Sequence, residues 1–293
     1  NGGVGSVVRT SYYQGNQPTM STYAGQVHNA PGNQRVAATM PAPQQHVVYI
    51  EGQNGGEYGV SSDGASSKLV GIAERSVRMG FIRKVYSILC LQLLFTFGLC
   101  AVFALSNSAG DWVRDRPALV WVALLVAFGF VCAIICVERV ARRHPTNIIV
   151  LSLFTMFEGF AVGGISAFYE TDSVLIALGF TVVITLGLTL FAWQTKIDFT
   201  MKSGCIFSLV LLMFMTLIMA IILQSEVLSV IYAALGTVVF SLFLVYDTQL
   251  IVGGRHRRFQ FSVDDYVFAA LALYLDIINL FLFILRLVGG RRD

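Results

Sequence analysis

Charge is scarce in this sequence: 13% of its 293 residues are Asp, Glu, Lys or Arg, where soluble domains carry roughly 25%. With 56% hydrophobic residues and a mean hydropathy of +0.70, that shortage excludes an ordinary soluble domain. Cysteine is sparse and unpatterned. Cys90, Cys100, Cys132, Cys136 and Cys205 lie in or beside apolar runs, are odd in number and fit no zinc spacing. They read as small apolar core residues. No apolar stretch follows Asn1, so no secretory leader is expected there. The net charge of +3 says little about partners, and a nucleic-acid partner is not expected.

Long apolar runs are what the chain has in abundance. Seven lie at about 82–106, 117–137, 147–169, 173–193, 203–223, 227–251 and 265–286, each long enough to cross a hydrocarbon core of roughly 30 Å, which takes about 20 helical residues. They are continuous rather than alternating, which predicts helices and excludes a β-barrel. The expected fold class is all-α: a polytopic membrane protein with a seven-transmembrane-helix bundle over 77–293 and a disordered N-terminal tail over 1–76. That tail is rich in Gly, Gln, Ser, Asn and Val and sustains neither a period of 2 nor one of 3.6, so no packed face is expected. It serves either as a docking tail or as a solvated extension.

Orientation follows from the loop cations. Lys68, Arg75, Arg78, Arg83 and Lys84 precede or open the first run. Arg139, Arg142 and Arg143 lie in the 2–3 connection, Lys196 and Lys202 in the 4–5, and Arg255, Arg257 and Arg258 in the 6–7. The opposite side has Arg114, Arg116 and the terminal Arg286, Arg291 and Arg292. The N-terminus is therefore expected in the cytosol. Seven crossings put the C-terminus on the far side, against the pull of the terminal arginines. A last helix that re-enters and returns is the alternative.

Three acids interrupt the apolar runs: Glu158, Asp247 and Asp276. An ionised carboxylate at a helix centre costs roughly 2.5–3.5 kcal/mol in insertion scales, and such residues mark ion or proton paths by default. Glu158 is followed by Gly159, Gly163 and Gly164, small residues that let helices approach. It faces a cavity, or it makes an interhelical hydrogen bond. Asp247 and Asp276 are nearly equidistant from the middle of the 6–7 connection, so an antiparallel hairpin puts them level to within about two helical turns. Two carboxyl groups that close do not both ionise easily, and the pair tends to share a proton. It would sense pH, and on losing its proton it would repel or take up a cation. Arg139 and Arg142, at the end of the second run, are candidate gating partners, or ordinary positive-inside anchors. Ca²⁺ takes 6–8 oxygens. Asp247 and Asp276, with Gln249, Asn279 and water, offer it a weak, transient site suited to passage.

The motifs Phe81-Ile82-Arg83-Lys84-Val85-Tyr86, Pro145-Thr146-Asn147, Gln194-Thr195-Lys196-Ile197-Asp198-Phe199-Thr200, Tyr246-Asp247-Thr248-Gln249 and Leu273-Tyr274-Leu275-Asp276-Ile277-Ile278-Asn279 occur in order between about 78 and 288. On these residues the chain resembles the transmembrane Bax inhibitor motif family, in particular its lifeguard branch, which includes a glutamate-receptor-associated member. The resemblance implies a seven-helix fold, a pH-sensitive calcium leak from intracellular stores and restraint of cell death. It also implies that Asp247 and Asp276 form the pH-sensing pair, with a closing arginine at the end of helix 2. The implied location is the endoplasmic reticulum or Golgi, with the plasma membrane as a further site. The implied partners are the bilayer, Ca²⁺ and protons, and cell-death regulators or receptor proteins. No cofactor is expected beyond Ca²⁺ as the transported ion.

Rival readings are a proton- or cation-coupled calcium exchanger and a membrane docking protein without transport. An intramembrane aspartyl protease is disfavoured: Tyr246-Asp247 fits its first motif, but Leu273-Tyr274-Leu275-Asp276 stands where Gly-Leu-Gly-Asp belongs. No enzyme activity is expected. A seven-helix receptor conflicts with the charge asymmetry, and a retinal protein needs a lysine that the last run lacks.

Overall fold

The structure is a computed structural model that describes residues 10–11, 47–51, 57–60, 62–137, 140, 142–253 and 259–290. The chain divides into two units, 1–76 and 77–293. In the first, three short strands pair antiparallel in the order β1 (Thr10–Ser11), β2 (Val47–Glu51), β3 (Glu57–Val60). Val48 opposes both Thr10 and Val60, and Ile50 opposes Tyr58. The sequence reading anticipated no strand here. The β-branched and aromatic residues Val47, Val48, Tyr49 and Ile50 supply the local preference.

The helices are α1 (Ser62–Leu105), α2 (Asn107–Arg114), α3 (Pro117–Cys136), α4 (Thr146–Ser166), α5 (Thr171–Gln194), α6 (Ser203–Leu223), α7 (Glu226–Val252) and α8 (Tyr266–Val288). All but α2 contain a stretch long and apolar enough to cross a bilayer. The seven spans match the seven apolar runs, and the chain is a multi-pass membrane protein. The short α2 was not foreseen. Ser106 Oγ caps it by accepting from Ala109 N, Val113 is buried, and Arg114 Nη1 donates to Ala167 O at 2.9 Å, tying the α1–α3 connection to the end of α4.

α8 is the axis of the bundle. Of its span 72% is buried, against 6% for α6, and a helix that is hydrophobic all round belongs in a core. α7 packs along it most extensively, with α5 and α4 alongside. α1 contributes Phe97, edge-on to Phe281 at 5.6 Å, and Thr96 Oγ1, hydrogen-bonded to the Tyr274 hydroxyl at 2.8 Å. The α7–α8 approach needs Gly236. A Cβ there would stand 2.5 Å from the Phe283 ring, which Phe240 and Tyr232 hold in place.

α8 runs unbroken for 23 residues and ends beside the α4–α5 connection. Glu170 N donates to Gly290 O, and Gly290 N donates to Ser173 Oγ, each at 3.1 Å. The last helix therefore crosses completely, and the re-entrant alternative falls. Arg286, whose charge argued for that alternative, donates to Ser229 Oγ at 3.2 Å and lies over the Tyr232 ring near the start of α7.

Candidate functional site

Asp247 stands just over one turn before the C-terminal end of α7, and Asp276 near the middle of α8. The antiparallel packing of these helices brings the two carboxyl groups side by side, close enough to interact directly. Asp276 is buried, 6% exposed, whereas Asp247 is half-buried. Among the described residues Asp276 Oδ2 has no hydrogen-bond partner, and the same is true of the buried oxygens Tyr86 OH, Gln92 Oε1, Thr185 Oγ1 and Thr248 Oγ1. Tyr86 OH lies beside Thr248, the residue after Asp247.

The end of α7 is held from two directions. Arg78, on α1, donates from Nη2 to Leu250 O at 2.6 Å, from Nε to Val252 O at 3.3 Å and from Nη1 to Phe261 O at 2.6 Å. The last carbonyls of a helix have no partner inside it and carry the negative end of its dipole, so a guanidinium satisfies both demands. Gly253 turns the chain at φ +61°, and a Cβ there would stand 2.7 Å from Arg78 Nη2. The returning loop then closes on the same turn, with Phe261 N donating to Leu250 O at 3.0 Å. From the other side Gln249, fully buried, accepts from Phe199 N at 2.9 Å and donates to Ile197 O at 3.0 Å.

These contacts correct part of the expected ligand set. The Gln249 carbonyl oxygen is already engaged by the α5–α6 connection and does not face a cation. Asn279 donates from Nδ2 to Leu275 O at 2.8 Å, and its Oδ1 accepts no hydrogen bond among the described residues. Among the described residues no group of three or more His, Cys, Asp or Glu is assembled to hold a metal ion. Among the described residues a cation at the pair would therefore have two aspartates as its only acidic ligands.

Of the candidate gating partners, Arg142 and Glu158 lie away from the pair. Arg142 donates from Nε to Asp265 Oδ1 at 3.0 Å, at the N-cap of α8 and about three turns before Asp276. Arg139 lies outside the described residues. Glu158 is hydrogen-bonded to neither aspartate. It lines a cavity with Trp121, Phe128, Phe154 and Leu275. Among the described residues, the cation that sits against the α7 end is Arg78. In the sequence it is one of five cations opening the first span, and only the neighbouring Gly253-Gly254 hinted at a close approach on α7.

Comparison with known proteins agrees with this architecture. The family model described as "Inhibitor of apoptosis-promoting Bax1" matches residues 78–293. Protein lifeguard 3 of Homo sapiens is 41% identical over 223 residues, covering 74% of this chain and 71% of that protein. Its Mus musculus counterpart is 40% identical over 222 residues, with the same coverage. Protein lifeguard 4 of Mus musculus is 36% identical over 217 residues, 74% of this chain and 87% of that protein. With seven membrane-crossing helices, a central α8 and a family match running from the start of α1's span to the C-terminus, the chain belongs to the Bax inhibitor family of membrane proteins, alongside the lifeguard proteins.

Proposed function

We propose that the chain is a pH-sensitive Ca²⁺ leak pathway of an intracellular membrane, gated by Asp247 and Asp276. The observation that carries this reading is the direct approach of two carboxyl groups to each other inside the bundle. With one shared proton the pair has a single negative charge and a bond that joins α7 to α8. When the proton leaves, two negative charges face each other, the bond is lost, and a divalent cation balances them. Proton and cation thus compete for the same oxygens, and flux rises with pH. Two carboxylates without a third make a weak site, which suits an ion that must also leave.

The N-terminus is assigned to the cytosol by the excess of Lys and Arg in the connections on its side. On that assignment the Asp247 end of α7 faces the cytosol, and the leak runs from store to cytosol. Contribution to calcium homeostasis and restraint of apoptosis follow as the cellular role, in keeping with the family description. Cell-death regulators or receptor proteins are the expected protein partners.

The same geometry favours a second reading, proton-coupled calcium exchange, because the cation displaces a countable proton. Purified protein in lipid vesicles separates the two. Under an imposed proton gradient a leak lets Ca²⁺ run only down its own gradient, whereas an exchanger drives it uphill. No Ca²⁺ flux at any pH, with folded protein in the vesicles, overturns both.

A further inference from the structure

A cavity of about 450 Å³ lies between α3, α4 and α8, within the roughly 300–1,000 Å³ typical of small-molecule pockets. α3 supplies Trp121, Leu125 and Phe128, α4 supplies Phe154 and Glu158, and α8 supplies Leu275. Trp121, Leu125 and Phe128 are 69%, 70% and 66% exposed, so the cavity opens sideways onto the lipid-facing surface. Its floor is firm: Phe154 is fully buried and edge-on to Tyr274 at 5.6 Å. Glu158 has no hydrogen bond or ion pair among the described residues. It lies about 12 Å inside the C-terminal end of α4, by a rise of 1.5 Å per residue.

We propose that this groove binds a single-chain amphiphile bearing a protonated amine, drawn from the bilayer. The chain lies along Trp121, Leu125 and Phe128, and the ammonium group donates to the Glu158 carboxylate. The argument is charge complementarity. A carboxyl group in hydrocarbon needs a donor or a counter-charge; the lining carries no cation, and its one N–H side chain, Trp121, makes no hydrogen bond to Glu158. An ammonium ion brings both, and the pair has no net charge. An uncharged acyl chain fills the volume but leaves Glu158 unpartnered, and a phosphate headgroup is repelled by it. The groove is separate from the paired aspartates, so the inference does not depend on ion passage.

Trp121 makes the groove its own reporter. The sequence holds three tryptophans, and Trp112→Phe with Trp193→Phe leaves Trp121 as the sole emitter. The full chain in nanodiscs of zwitterionic lipid is titrated with a bromine-labelled long-chain primary amine and, separately, with the matching alcohol. Saturable quenching by the amine is expected. Glu158→Gln should weaken it by about tenfold or more, as for truncation of one partner of a buried charge pair, and Glu158→Asp should retain part of it. The thermal midpoint of each variant checks that it is folded. Equal quenching by amine and alcohol, or an amine titration unchanged by Glu158→Gln, overturns the proposal and leaves a groove for lipid tails alone. Shielding of Trp121 from both probes at every protein-to-lipid ratio assigns the groove to a second copy of the chain, and also overturns it.

Discussion

Asp276 and Asp247 do not have the same surroundings, and the difference sets their expected roles. Asp276 is buried near the middle of the central helix with one oxygen unpartnered. Asp247 is half-buried near the end of α7, closer to water. In the proposed mechanism Asp276 is the constant member, and Asp247 the member that exchanges with the bulk. Asp247→Asn and Asp276→Asn should each reduce calcium flux, and the double variant should add little, because groups acting as one site are non-additive. Flux losses that multiply in the double variant would mean two separate sites. Arg78 has a different duty. Its three hydrogen bonds to carbonyl groups close the end of α7. Arg78→Ala should lower stability by about 2 kcal/mol, in the range for hydrogen bonds to charged groups, and should raise basal flux by freeing the loop beside Asp247. Thermal unfolding in detergent together with vesicle flux checks both. A destabilised variant with unchanged flux would limit Arg78 to holding the helix end.

The α7–α8 hairpin is the element on which the pair depends, and Gly236 sets how close its helices come. Gly236→Ala should cost about 1–3 kcal/mol, the usual range for overpacking, because the Phe283 ring is fixed by Phe240 and Tyr232. Unfolding measured by circular dichroism would show it, and an unchanged midpoint would mean that the ring swings aside. The spans themselves were legible in the sequence because about 20 apolar residues in a row have few other uses. The aspartate pair was legible for the converse reason: an acid in such a run stands out. The short α2 was hidden because eight residues with only Gly110 and Val113 buried leave too little pattern. Gln249 was misread because its partners Ile197 and Phe199 lie about fifty residues away, and an amide looks the same whether it binds a cation or backbone. In the sequence Arg78 is one of five cations that set the orientation, and its use of the α7 carbonyls appears only once α1 and α7 are neighbours.

For the whole molecule, the crossing of α8 fixes the relation between its ends. The α7–α8 connection is held by Arg78 at the start of the first span, while Gly290 meets Glu170 and Ser173 at the other end of α8. Tags at the two termini should accordingly be accessible from opposite sides of a sealed vesicle, and a protease that removes both from one side would contradict that topology. The family match begins at residue 78, so a chain lacking residues 1–61 should keep its calcium flux, and loss of flux in a folded truncation would make the tail part of the pathway. The most direct measurement is Ca²⁺ flux from purified protein in lipid vesicles across a pH series, wild type beside Asp276→Asn. The shared-proton account predicts that wild-type flux climbs as pH rises, and that the variant, whose amide can still donate to Asp247 but cannot lose that proton, is low and flat throughout. A variant that keeps the wild-type pH profile would contradict it.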